Sequence, residues 1–183
     1  MALAEKFDLP IYCWYGRYLG GWAKAQGLTL SEGLALMEEA FPPIVNEQMY
    51  KFLGAPLAKA RFDAGRVTDA LALVDRAVNT GEGPAIGLYV SEVHRLRGTF
   101  LKSLGSPVEE VERALHTALQ IADEQGALLL KLRAAMSVAR LWRDQGKVRE
   151  ARELLAPVYG WFTEGFDTRD LKEAKALLEE LAV

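Results

Sequence analysis

Cysteine and histidine are scarce in this 183-residue chain. There is one cysteine, Cys13, and there are two histidines, His94 and His116, lying 22 residues apart. A lone cysteine closes no internal disulfide, and no cysteine–histidine spacing of the zinc-binding kind is present. A reducing, cytoplasmic setting is therefore expected. No apolar run approaches the ~20 residues needed to span a bilayer. The opening MALAEKFDLP lacks a basic segment followed by a long apolar core, so no signal peptide is expected. An excess of positive charge is also missing: the formal net charge is −3, so direct nucleic-acid binding is not expected. No phosphate loop of the form G-x-x-x-x-G-K-S/T occurs, and no metal constellation or nucleophile–base pair can be named. The expectation is a non-enzyme with no cofactor and no metal.

What is present is a repeat. Four segments, WAKAQG, AKARFDAG, TFLKSLG and RLWRDQG, each end in a glycine: Gly27, Gly65, Gly105 and Gly146. Their separations, by subtraction, are 38, 40 and 41 residues. Each reads as a helix followed by a left-handed exit and a second helix. Small residues align on these glycines. Gly20, Ala58, Gly98 and Ala139 lie seven positions before them; Gly33, Ala70, Val111 and Ala151 lie five or six after. A third column is Ala40, Ala77, Ala118 and Val158. Small residues two helical turns apart share a face and let the two helices of a hairpin approach closely.

Capping patterns mark the boundaries. Thr29 with Glu32 and Ser106 with Glu109 have capping-box spacing, and Pro107 suits a first helical position. Asp167 is placed to cap the last helix, with Asp170 near its positive end. Pro42-Pro43 and the stretch 81–84 are expected to break the chain between repeats. The pattern predicts nine helices, over 10–26, 30–41, 45–64, 67–79, 84–104, 107–125, 127–145, 147–159 and 168–182, with a loop at 79–84 and no strand. The expected class is all-α: about four antiparallel helix hairpins (10–41, 45–79, 84–125 and 127–159) and a C-terminal capping helix, in one domain of 1–183. A chain of this size buries roughly 70% of its unfolded surface and needs no staples.

The small–glycine–small columns resemble the tetratricopeptide repeat, with helices longer than its standard. Leu19, Leu57 and Val138 supply the bulky residue before the small one, whereas Arg97 does not, and the repeat-ending proline is missing. The resemblance implies a right-handed superhelix of hairpins. A narrower resemblance runs through Glu92–Leu181, in SEVHRLRGTFLKSLG, LHTALQIADEQGA and YGWFTEGFDTRDLKEAKALL, with RYLGGWAKAQG as an earlier copy. It is similar to the C-terminal repeat region of large bacterial signalling ATPases. In those, a cyclase or DNA-binding domain and a nucleotide-binding switch precede the repeats. The resemblance implies the sensing or interaction part of such a regulator without its catalytic parts.

Few residues suggest chemistry. Cys13 lies in the apolar run IYCWY and reads as a buried structural thiol; His94 and His116 read as surface or packing residues. The acidic doublets Glu38–Glu39, Glu109–Glu110 and Glu179–Glu180 read as solvated helix faces, because adjacent helical positions diverge.

The informative feature is charge on the first helix of each hairpin, the helix that lines the concave side of such arrays. Arg17, Lys24, Lys59, Arg95, Lys102, Arg133, Arg140 and Arg143 fall there, with Glu92 and Asp144 as nearby acidic exceptions, while the second helices and the tail carry most acids. This predicts a basic groove for an acidic peptide or partner domain; the alternative is a pocket sensing a small effector.

The first helix is apolar all round. Tyr12, Trp14, Tyr15, Tyr18 and Trp22 are candidates for self-association, since a terminal repeat normally has a polar outer face. A homodimer, an upstream repeat or residues 1–9 would each cover it. At the other end, Trp161, Phe162 and Phe166 are expected to fold back onto the last hairpin. There Leu171, Ala174, Leu177, Leu178 and Leu181 form the apolar stripe of a closing helix.

Overall fold

The computed structural model describes residues 6–27, 29–44, 47–79 and 89–182, without the side chains of 43–44, 47–48 and 51. The described residues form nine helices and no strand. They are α1 (Pro10–Ala25), α2 (Leu30–Ile44), α3 (Glu47–Asp63), α4 (Val67–Asn79), α5 (Val90–Ser103), α6 (Val108–Glu124), α7 (Leu128–Asp144), α8 (Val148–Tyr159) and α9 (Arg169–Glu180). Two compact units result, Met1–Tyr89 with α1 to α4 and Val90–Val183 with α5 to α9. The expected loop at 79–84 and the first turns of the helix expected from 84 fall in 80–88, outside the described residues.

Three hairpin turns follow the glycine expectation. Gly65, Gly105 and Gly146 have φ of 78°, 71° and 80°. In each, the next residue's N–H reaches a carbonyl five residues back: Arg66 to Arg61 at 2.9 Å, Ser106 to Leu101 at 3.0 Å and Lys147 to Trp142 at 2.9 Å. Those bonds satisfy helix-end carbonyls that would otherwise be orphaned. Gly126, between α6 and α7, makes the same turn with φ 62°, and Ala127 N–H bonds Ala122 at 2.9 Å. The expectation at Gly27 is corrected: it is not left-handed, and the α1–α2 connection is one residue longer than the turn at Gly65.

The contact column in the first hairpin is also shifted. Gly20 is exposed with nothing near its Cβ position; Gly21 makes the close approach instead. A Cβ on Gly33 would lie 2.5 Å from the backbone of both Ala25 and Gly21, so α1 and α2 touch main chain to main chain. The other small columns hold, with Ala58, Ala70, Ala118, Ala139 and Ala151 buried and Gly98 against Leu115.

Proline behaves less disruptively than expected. α2 runs through Pro42-Pro43 to Ile44, and Pro56 and Pro157 lie inside α3 and α8. Pro42-Pro43 and Pro157 lie in last turns, where a missing N–H removes only a bond whose carbonyl can turn to water, whereas Pro56 lies in mid-helix. At the caps, Pro107 and Thr168 take the positions expected of Ser106 and Asp167, without side-chain cap bonds. The Thr168 hydroxyl donates to Gly165 at 2.7 Å, and the Thr29 hydroxyl donates to Lys24 at 3.3 Å.

Each unit has its own core. In the first, Tyr18, Met37, Leu53, Leu57 and Val74 are enclosed, with Phe41 edge-on to Tyr50 at 5.5 Å. In the second, a continuous cluster runs from Leu132 and Met136 on α7 through Leu155 on α8 to Leu171, Ala174, Leu177 and Leu181. The last four carry α9 onto α7 and α8, as its stripe predicts. Ser91 is buried and satisfied, its hydroxyl donating to Ala118 at 2.8 Å.

Candidate functional site: charged faces of the first helices

All eight predicted cations lie on first helices of hairpins, and every one is ion-paired. In the first unit, Arg17 pairs with Glu39 and covers the Trp14 ring at 5.1 Å. Lys24 meets Glu32 at 3.3 Å, and Lys59 meets Asp63 one turn along at 2.5 Å. These are largely exposed pairs, worth about 0–1 kcal/mol each. Glu38, half-buried, clamps Arg61 at 2.8 Å and Arg66 at 2.9 Å.

The second unit is organised differently. Arg95 makes a two-bond pair with Glu92 at 2.7 and 2.8 Å on its own helix. Lys102 reaches Asp144 at 2.5 Å, which joins α5 to α7 and also accepts from Arg143 at 3.0 Å. Three arginines of α7 then face three acids of α9. Arg133 makes two bonds to Asp170 at 2.8 and 3.0 Å, Arg140 reaches Glu173 at 3.2 Å, and Arg143 reaches Glu180 at 2.5 Å. Numbers rise together on both helices, so α7 and α9 run parallel. A mixed-charge helix thus lies along the basic stripe of a first helix, its apolar edge in the core and three of its four carboxylates on the guanidinium row. Planar guanidinium forks favour this geometry.

Local charge holds these acids ionised. Asp144 is held below the usual carboxylate range by the bond from Lys102, which outweighs burial, and Arg143 adds a smaller lowering. Glu173 is lowered by Arg169 and Arg140, against burial. Sequence reading did not find Glu112. Burial pushes its carboxyl up, but bonds from Gln145 at 3.3 Å and Trp142 Nε1 at 3.2 Å, with the charges of Lys147 and His116, leave it lowered. Its hydrogen-bond donors, Trp142 and Gln145, lie 30 and 33 residues along the chain, so no local pattern announces them. The α9 partners were not legible either: Glu173 and Glu180 read as water-facing residues beside the apolar stripe, and the structure pairs them with Arg140 and Arg143.

Tyr18 is corrected as a self-association residue. It is 1% exposed, its phenol donates to the Leu53 carbonyl, and burial raises its pKa. Trp14 and Tyr15 are half-buried, while Tyr12 and Trp22 are 61% and 43% exposed. Cys13 is half-buried rather than enclosed. Trp161 does not fold back: it is 69% exposed. Phe162 does pack on the core cluster, and Phe166 meets Tyr159 at 6.0 Å while staying largely open. Among the described residues there is no group of three potential metal ligands, and no helix is long and apolar enough to cross a membrane.

No family model and no solved structure matches this chain. It is similar to an uncharacterized protein of Rhizobium meliloti (strain 1021), 29% identical over 128 residues that make up 66% of this chain. The match spans 12% of that protein's length.

Proposed function

We propose that this chain is a non-catalytic interaction and regulatory module of a bacterial signalling or transcription-regulating system. It takes an acidic helical peptide or partner domain on the basic faces of its first helices. The supporting observation is the docking of α9, in which Asp170, Glu173 and Glu180 occupy the arginine row of α7. That contact is a within-chain version of the binding proposed for a partner. The near-constant spacing of Gly27, Gly65, Gly105 and Gly146 supports reading the hairpins as one tetratricopeptide-like series in a right-handed superhelix. Similarity to a short stretch of a much longer bacterial protein is in keeping with a regulatory part of a larger system.

Peptide binding measured by fluorescence anisotropy tests this reading. Arg133→Glu and Arg140→Glu should weaken capture of acidic helical peptides, while Asp170→Asn, which removes a carboxylate charge from the arginine row, should strengthen it. Unchanged capture in all three variants removes the basic faces from the account. Thermal stabilisation by a small metabolite, with no peptide binding, would favour the effector-sensing alternative.

A further inference from the structure

The first helix carries two apolar faces. One, with Tyr18, Gly21 and Ala25, is buried in the hairpin. The other is a stripe at helical spacing: Ile11, Tyr12, Tyr15, Leu19 and Trp22, continued before the helix by Phe7 and Leu9. Leu19 is 53% exposed, and Phe7 more so. No charge lies within the stripe from Ile11 to Trp22, while Lys6 and Asp8 flank Phe7 before it, Lys6 lying over the Phe7 ring at 5.6 Å; Arg17 and Lys24 sit on the opposite side of the helix, paired to α2. Gly20 lies beside the stripe with open space around it.

We infer that this stripe is an interface with a second copy of the chain, formed by two α1 helices crossing antiparallel. Self-pairing requires a patch that tolerates itself, and an uncharged stripe brings no like charges together across a two-fold axis. Antiparallel packing sets Tyr12 against Trp22 of the second copy and Tyr15 against Leu19, and it opposes the helix dipoles favourably. The area is of the right order. At about 200 Å² per large side chain, the exposed parts of Phe7, Leu9, Ile11, Tyr12, Leu19 and Trp22 come to roughly 600 Å² per copy, against about 800 Å² per partner in a standard interface. A surface this apolar on a soluble chain marks an interaction site. The inference does not depend on the basic faces discussed above.

Light scattering on the full chain across the micromolar range is the test. Wild type should have the mass of two chains. Leu19→Glu and Tyr12→Glu, at exposed positions, should each lower self-affinity roughly tenfold or more while the helical circular dichroism stays unchanged. Trp161→Glu, equally exposed in the other unit, should remain dimeric. A wild type with the mass of one chain throughout overturns the inference and leaves the stripe to a different occupant. A dimer that survives both glutamate substitutions overturns it as well, by placing the interface elsewhere.

Discussion

α9 and α1 solve the same problem in opposite ways. Both are amphipathic, yet α9 buries one stripe and surrounds it with Lys172, Lys175, Glu179 and Glu180, while α1 buries one stripe and exposes another. α9 also binds its neighbour by charge, three carboxylates on three arginines. α1 binds its neighbour by proximity, with Gly21 and Gly33 bringing main chain against main chain. The α1–α2 hairpin therefore closes mainly through small residues, with the exposed pairs Arg17–Glu39 and Lys24–Glu32 beside them, whereas a helix that closes an array needs a polar outer surface too.

Four substitutions and a titration can break or sharpen that contrast. Leu177→Ala, in the core under α9, should cost the second unit about 3 kcal/mol. Urea unfolding followed through Trp142 and Trp161, with Trp14 and Trp22 reporting on the first unit, will show whether the loss stays local. Gly33→Ala should cost the first unit about 2 kcal/mol, because its methyl meets backbone that cannot rotate away. Gly98→Ala should cost less, about 1 kcal/mol, because its closest contacts are side-chain atoms of Leu115, buried but with rotamers to adjust, rather than main chain. Equal losses at the two positions would remove the distinction between main-chain and side-chain contact.

Acid should loosen the second unit. The carboxyls of Glu112, Asp144 and Glu173 have lowered pKa values in the folded chain. Their contribution is therefore complete above the ordinary carboxylate range, above about pH 5, and is lost as pH falls through and below that range. Thermal unfolding against pH should show this decline, and Glu173→Gln should make it shallower. The smallest effect is a gain: Gly20→Ala should stabilise α1 by about 0.5–1 kcal/mol, since no neighbour meets the new methyl. A loss at Gly20 would restore the contact column to the position that spacing alone suggests.

Helix positions were readable because local chemistry sets them. The expected 67–79 matches α4, and 127–145 brackets α7 within a residue at each end, because Gly65 and Gly146 stop the preceding helices through backbone geometry. The break at 126 between the expected helices 107–125 and 127–145 is present, but its left-handed turn was not singled out, since Gly126 falls between hairpins rather than within one. The shift from Gly20 to Gly21 was not legible: the α5–α6 connection is as long as the α1–α2 one and its column stays at Gly98, so spacing does not give the shift.

The same divide separates the site residues. That Arg133, Arg140 and Arg143 share a helix follows from the sequence. That they meet Asp170, Glu173 and Glu180 does not, because those pairs span 33 to 37 residues and depend on the rotation of both helices. Trp161 and Phe162 are adjacent aromatics with opposite fates, one open and one packed, and only tertiary placement decides which is which.

The most direct test uses α9 against its own stripe. Leu177→Asp should undock α9 by placing a charge in the core cluster. A synthetic peptide of Arg169–Leu181 should then bind that variant in trans, more weakly as salt rises, and should fail to bind when Arg133 and Arg140 are also reversed to glutamate. Binding that ignores both salt and the arginine reversals, or no binding at all, would contradict the claim that these first-helix faces receive acidic helices.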